Sequence, residues 1–457
     1  MKIGPRIHLV TLGCAKNLVD SERILGKLAV AGAVIATAPD EADILIVNTC
    51  GFIAAAKEES IRAVLRLSQF KRADPRRKLI VMGCLAQRYA PSLRRQLPEV
   101  DGVFGLGEQD AILAACGLRV RGREEPGRFL LTPVHTAYLR IADGCDNRCA
   151  YCAIPAIRGP FRSRPAEEIL KEARELVASG ARELNVIGQD TTLYGADRPG
   201  SPRIHELLAR IAQTPRLRWL RLLYTHPAHF TPELVEAYRA LPKLCPYVDL
   251  PLQHLNDDIL RRMGRRVSQA QAADLIGRIR ERVPDVAIRT SFIVGFPGET
   301  RRQFDELLEK VRELRFDHLG AFAYSREEGT RAASMPGQLS ERTKARRLGE
   351  LMRAQQEIAL DRNSAMKGKA LEVVVEEPAP ARRDGWIARS RTQAPDVDGV
   401  TFVSGKNLRP GRFVRATIIG SDGYDLVAEC RVQSAECGVQ SAECRVQNAE
   451  CRVQSAE

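Results

Sequence analysis

Three apolar runs near the start of the chain, 7–12, 44–49 and 79–83, have the length and β-branched content of buried strands. Amphipathic stretches over 20–31, 54–70 and 88–97 follow them with helical spacing. Such alternation predicts a parallel α/β sheet with right-handed crossovers across residues 1–117. Each run leads to a cysteine: Cys14, Cys50 and Cys84. In a parallel sheet the carboxyl ends of the strands share one edge, so these three thiols are expected to converge although they lie far apart in the chain.

After a polar, Gly/Pro-bearing link over 117–133, strand patterns recur at 138–142, 183–188, 218–223, 247–250, 286–294 and 316–324. Helical patterns at 167–178, 204–212, 232–241, 270–282 and 302–314 separate them. This predicts an incomplete (β/α)6 barrel within 131–366, its chemistry at the carboxyl edge of the strands. A long helix over 340–361 is expected to bury Leu348, Leu351, Met352, Gln355, Ile358 and Ala359. Short β-rich runs at 370–375, 386–390, 399–403, 413–419 and 425–430, set between turn residues, predict a small antiparallel β-barrel over 367–429.

The last segment, 430–457, repeats Glu-Cys-Arg-Val-Gln-Ser-Ala with Cys430, Cys437, Cys444 and Cys451 in register. Too few apolar positions recur for a coiled-coil seam. The seven-base unit GAGTGCA, cycling through all three reading frames, encodes this heptad, so the segment reads as a translated nucleotide repeat, disordered and no metal site.

Composition narrows the class. A hydrophobic fraction of 44%, no run long enough to span a membrane and no apolar signal core predict a cytoplasmic protein with no membrane partner. The net charge of +13 favours an acidic partner such as RNA or a ribonucleoprotein surface. The region 367–429, however, holds ten Lys/Arg against nine Asp/Glu, less basic than a dedicated RNA-binding module.

Cys145, Cys149 and Cys152 form Cys-x3-Cys-x2-Cys just beyond the first barrel strand. Three thiolates can hold three irons of a 4Fe–4S cube and leave the fourth open to a small ligand. A zinc knuckle would need a fourth ligand at short spacing, and the neighbouring histidines, His135 and His205, are distant. A second three-cysteine cluster on Cys14, Cys50 and Cys84 follows from their shared strand-end placement. Cys116 and Cys245 lack that placement and read as small core hydrophobes.

With these residues in place, the chain from Arg6 to Glu429 resembles the radical S-adenosylmethionine (SAM) methylthiotransferases. Their fold joins an α/β domain carrying three cluster cysteines, a radical SAM partial barrel and a TRAM β-barrel. Gly13-Cys14-Ala15-Lys16-Asn17, Asn48-Thr49-Cys50-Gly51-Phe52-Ile53, Gly83-Cys84-Leu85-Ala86-Gln87 and Asp249-Leu250-Pro251-Leu252-Gln253-His254 are similar to the RimO-like branch, as is 153–164. That branch modifies an aspartate of ribosomal protein S twelve; the MiaB-like branch modifies a tRNA adenosine and usually carries Gln-Ser where this chain has Gln253-His254.

The resemblance implies two 4Fe–4S clusters and SAM as cofactors. It implies a partner on the small ribosomal subunit, an electron donor such as flavodoxin or ferredoxin, and no DNA. A methylthio group would pass from the cluster on Cys14, Cys50 and Cys84 to the aspartate β-carbon. Tyr151, Gln189, Asp190, Gln253, Gly295 and Glu299 are the expected cofactor contacts, since they precede the last ligand or follow barrel strands. His254 serves as a family marker before a catalytic base. Arg158, Arg162 and Arg164 read as a solvated charged face rather than a substrate guide. A tRNA methylthiotransferase and a noncatalytic iron–sulfur or zinc protein that binds ribosomes are the rival readings.

Overall fold

The computed structural model describes residues 4–119, 127–380 and 385–430. Part of the 117–133 link and the tail cysteines Cys437, Cys444 and Cys451 lie outside the described residues. The chain forms two compact units, one through Ala359 and the other from Leu360.

The first unit opens with β1 (Arg6–Thr11), α1 (Ala15–Val30), β2 (Val34–Ile35), β3 (Ile44–Thr49), α2 (Ala54–Ala73), β4 (Lys78–Gly83), α3 (Cys84–Gln96), β5 (Gly102–Phe104) and α4 (Gln109–Ala115). The strands pair in parallel in the order β2-β1-β3-β4-β5. Alternate residues of β3 and β4 feed two cores. Leu45, Val47, Leu79 and Val81 pack with Val64, Leu67 and Leu93, while Ile44, Ile46, Ile80 and Met82 pack with Ile24, Leu28, Ile112 and Leu113. Burial on both faces makes these strands almost wholly apolar. The edge strands β2 and β5 are too short to stand out in the sequence.

The second part contains β6 (Thr136–Arg140), β7 (Ala142–Asp143), α5 (Ile154–Arg158), β8 (Arg162–Ser163), α6 (Ala166–Ala178), β9 (Glu183–Ile187), α7 (Ile204–Ala212), β10 (Trp219–Leu222) and α8 (Pro232–Ala240). It continues through β11 (Tyr247–Asp249), α9 (Asp257–Met263), α10 (Gln269–Arg282), β12 (Ala287–Val294), α11 (Arg301–Leu314), β13 (His318–Ala323) and α12 (Glu341–Ser364). Six parallel strands are present as expected, but as two ladders, β10-β9-β6 and β11-β12-β13. Between them, a parallel bridge pairs Leu220 of β10 with Leu244, just ahead of β11. The main core of this part includes Leu351, Ala354 and Ile358 of α12, and a smaller cluster holds Ala150, Ile259, Met263, Phe296 and Tyr324.

The second unit is built on β14 (Ala370–Pro378), β15 (Gly385–Ser390), β16 (Thr401–Ser404), β17 (Phe413–Asp422) and β18 (Asp425–Glu429), closed in the order β14-β15-β16-β18-β17. Four seams are antiparallel and β16–β18 is parallel. Strand directions cannot alternate all the way round a closed ring of odd number, so one parallel pair is required. Its interior is apolar, with Val373, Val375, Ala388, Val403, Ala416, Ile418 and Ala428.

Candidate cluster and cofactor site

The strand-end cysteines meet where β1, β3 and β4 finish. Cys14 caps α1 and Cys84 is the first residue of α3, so both helices begin earlier than their apolar periodicity indicates. The polar pair Lys16-Asn17 hides the start of α1, and in α3 the apolar Leu85-Ala86 runs on from the strand pattern before Gln87-Arg88. Asn17 ties the edge together: its amide donates to the carbonyls of Leu12 (3.0 Å) and Thr49 (3.1 Å), and its Oδ1 lies 3.3 Å from Cys84 Sγ. Ser60 donates to the Cys50 carbonyl at 3.0 Å. Two glycines set the spacing. A Cβ on Gly13 (φ 91°) would stand 2.8 Å from Cys50 Cβ, and one on Gly83 (φ 100°) 2.2 Å from Asn48 Oδ1.

Cys50 and Cys84 are buried and Cys14 opens to solvent. Burial pushes the Cys84 thiol up to about 12 against the pull of Arg158, and Cys14 and Cys50 add to the rise. Burial also raises Cys50, with Cys14 contributing. At Cys14 the enclosing protein opposes ionisation, but Lys16, the Asn17 N–H and Arg158 outweigh it and the thiol is held below its usual value. Cys84 feels both Cys14 and Cys50, and Cys50 feels Cys14, the mark of a converged donor set.

The second set lies on one loop. β7 and β8 pair antiparallel at its base, and the Cys145 N–H donates to the Gly159 carbonyl at 3.1 Å. Arg265 reaches to 3.9 Å from Cys149 Sγ. Burial raises Cys152 to about 12, with Cys149 and Cys145 adding to it. Tyr151 faces the same group: burial raises its hydroxyl, Arg265 opposes this, and Cys149 and Cys152 add to the rise. All six cysteines are unpaired thiols, as is the donor chemistry of two three-cysteine iron sites.

The other expected residues divide. Gln189 donates to Asp143 at 3.1 Å, and Asp190 receives Asn147 of the cysteine loop at 2.7 Å and His229 at 2.8 Å. Gln253 stands at φ 72° and bridges to Phe292. Gly295 donates its N–H to Glu299 at 2.8 Å. The Glu299 carboxylate is itself buried against Arg347, which binds its carbonyl at 2.9 Å. It braces the 295–299 turn from within, and His254 Nδ1 likewise accepts from the Asn256 N–H at 2.9 Å.

His226 and His229 were not singled out by sequence. With Asp190 they place their ligand atoms within 4.8 Å of one another, and their rings stack at 4.7 Å. Burial drives His226 down to about 3, helped by Arg265, so it is neutral at physiological pH. Their position after β10, a strand-end loop, is the signal that could have found them.

The solvated-face reading fails for Arg158 and Arg164. The Arg158 side chain is 2% exposed and spans the two sites. It binds Asp20 and Asn17 at 2.8 Å each, approaches Cys84 Sγ at 3.6 Å and pairs with Asp143 at 3.3 Å. Arg164 pairs with Glu172 at 2.7 Å, in a buried network with Arg128, Arg23 and Glu22; Arg162 alone is exposed. A hydrophobic-periodicity argument does not register such ion pairs. A second latch joins the same parts: buried Glu327 binds Lys57 at 2.7 Å, and Arg88 spans the Gly51 and Glu328 carbonyls at 2.8 Å each. Cys116 and Cys245 are buried as expected.

Comparison with known proteins agrees with this geometry. Residues 6–105 match the uncharacterized protein family UPF0004, 139–311 the radical SAM superfamily and 368–430 the TRAM domain. The cobalamin-dependent S-adenosylmethionine radical enzyme OxsB has a similar fold, with TM-score 0.51 and 12% identity over 77% of this chain and 56% of its own. Fold and matches together define a radical SAM enzyme, whose class works with an iron–sulfur cluster and SAM.

The ribosomal protein uS12 methylthiotransferases RimO of Desulforamulus reducens and Geobacter sulfurreducens are each 47% identical over 93% of this chain, covering 99% and 98% of their own lengths. The chain belongs to this RimO family of radical SAM methylthiotransferases. No helix among the described residues is long and apolar enough to cross a membrane.

Proposed function

We propose that this chain transfers a methylthio group to the β-carbon of an aspartate in ribosomal protein uS12, using two 4Fe–4S clusters. The observation that carries the reading is the pair of three-thiol sites in one compact unit, spanned by Arg158. Cys145, Cys149 and Cys152 would hold the cluster that engages SAM, and Cys14, Cys50 and Cys84 the one that carries the sulfur. When bound, the first cluster supplies the electron that cleaves SAM and so the means to remove a hydrogen atom from carbon.

The protein's part is orientation. Tyr151, Gln189, Asp190, Gln253 and Gly295 would border SAM at the barrel edge, with Glu299 acting through the turn it braces. Arg158 would hold the sheet edge and the cysteine loop in register. Residues 1–117, 131–366 and 367–429 would serve as sulfur-carrying, radical and substrate-gripping domains, acting in the cytoplasm on the small ribosomal subunit with a flavodoxin or ferredoxin as donor.

Peptide mass spectrometry of uS12 from cells with and without this chain tests the reading. One aspartate gains a methylthio group only when the chain is present. An unmodified uS12 beside a chain-dependent methylthio-adenosine in tRNA would overturn it.

A further inference from the structure

Lys16 sits in the first turn of α1, a turn without any acidic residue at a helix end that already concentrates positive charge. Its side chain is nevertheless buried, 7% exposed. The ammonium lies 3.1 Å from the centroid of the Tyr224 ring. Tyr224 follows β10 at the carboxyl edge of the barrel, with φ 59°, and its N–H donates to Asp249 at 2.7 Å. Its carbonyl accepts from the Thr191 N–H at 3.0 Å, next to Asp190, which holds Asn147 of the second cysteine loop at 2.7 Å. Lys16 thus stands where the sheet edge bearing Cys14 meets the barrel edge.

Neighbouring buried cations are neutralised within the chain. Arg140 and Arg158 share Asp20 and Asp143, and Arg128 has Glu22 and Glu172. Lys16 meets no carboxylate among the described residues. A buried ammonium without a counter-ion is unfavourable, and one aromatic face offsets only part of that. Within the chain the nearest candidate anion is the Cys14 thiol, which Lys16 helps to ionise; an anion arriving from outside would complete the pairing.

We propose that Lys16 is a substrate-specificity residue that binds the side-chain carboxylate of the acceptor aspartate. The β-carbon is one bond from that carboxylate, so anchoring it fixes the reacting C–H bond between the two cysteine sites. The inference rests on the aspartate reaction proposed above. Two other anions could use the same charge: the thiolates of the Cys14 set and the carboxylate of SAM. Each leaves a different trace.

The test uses full-chain enzyme reconstituted without oxygen, a uS12 peptide containing the acceptor aspartate, and the same peptide with asparagine there. Lys16→Gln is expected to weaken binding of the aspartate peptide roughly 10- to 100-fold, the scale of one charge-assisted hydrogen bond. Asparagine-peptide binding, iron content and the KM for SAM should not change. Lys16→Arg should recover most of the aspartate preference. Equal weakening of both peptides, an altered cluster spectrum or iron content with unchanged peptide binding, or a raised KM for SAM each overturns the proposal. Wild-type enzyme that cleaves SAM yet binds and modifies neither peptide overturns the aspartate reaction itself, and the role of Lys16 with it.

Discussion

The two cysteine sites are assembled by opposite means. Cys145, Cys149 and Cys152 share one short loop, closed at its base by the β7–β8 ribbon, so local sequence determines their spacing. Cys14, Cys50 and Cys84 come from three strand ends and meet only because β1, β3 and β4 pair in parallel register. A loop site tolerates change elsewhere in the fold, whereas a strand-end site inherits every shift of its sheet. The two should therefore fail differently when perturbed.

The strongest separation is expected from the ligands. Cys149→Ala should lower 5'-deoxyadenosine formation on the order of 1,000-fold, while Cys50→Ala should leave that formation largely intact and abolish methylthio transfer. Product chromatography on anaerobic enzyme measures both; equal loss of cleavage in the two variants would erase the division of labour.

Next in size is the link between the sites. Arg158→Met leaves Asp20 without one of its cations and Asp143 less paired, so it should destabilise the first unit by about 3–5 kcal/mol, read from chemical denaturation. The same change at exposed Arg162 should stay within about 0.5 kcal/mol. Comparable losses at both positions would mean that Arg158 is no clamp.

A smaller effect depends on pH. Burial opposes ionisation of Glu172, but Arg164, Arg128 and Arg23 together hold its carboxyl down at about 2, from an ordinary 4.5. Its folded pKa is depressed, so its contribution, on the order of 3 kcal/mol, is complete above about 4.5 and is lost as pH falls towards 2. Denaturation midpoints measured from pH 7 downwards should fall less steeply for Glu172→Gln than for wild type. The smallest expectation is no effect: ending the chain after Cys430 should leave iron content and activity unchanged.

The same contrast explains what was legible in the sequence. Strand and helix periodicity locates the main elements, and shared strand-end placement alone predicts that Cys14, Cys50 and Cys84 converge. It did not reveal β2, β5 or α9, which are too short to carry a period. Nor did it reveal Arg158, His226 or Lys16, because a charged side chain has the same one-letter appearance whether it is solvated or buried against a partner. Hydrophobic pattern reports which faces are covered; it is silent on which polar groups are trapped beneath them.

Gly13 and Gly83 each precede a cysteine of the strand-end site, and neither leaves room for a methyl group. Descent of this chain is therefore channelled: at each of these positions the dipeptide Gly-Cys must be inherited as one word. A lineage that drifts to alanine there forfeits the neighbouring thiol's geometry even with every cysteine codon intact.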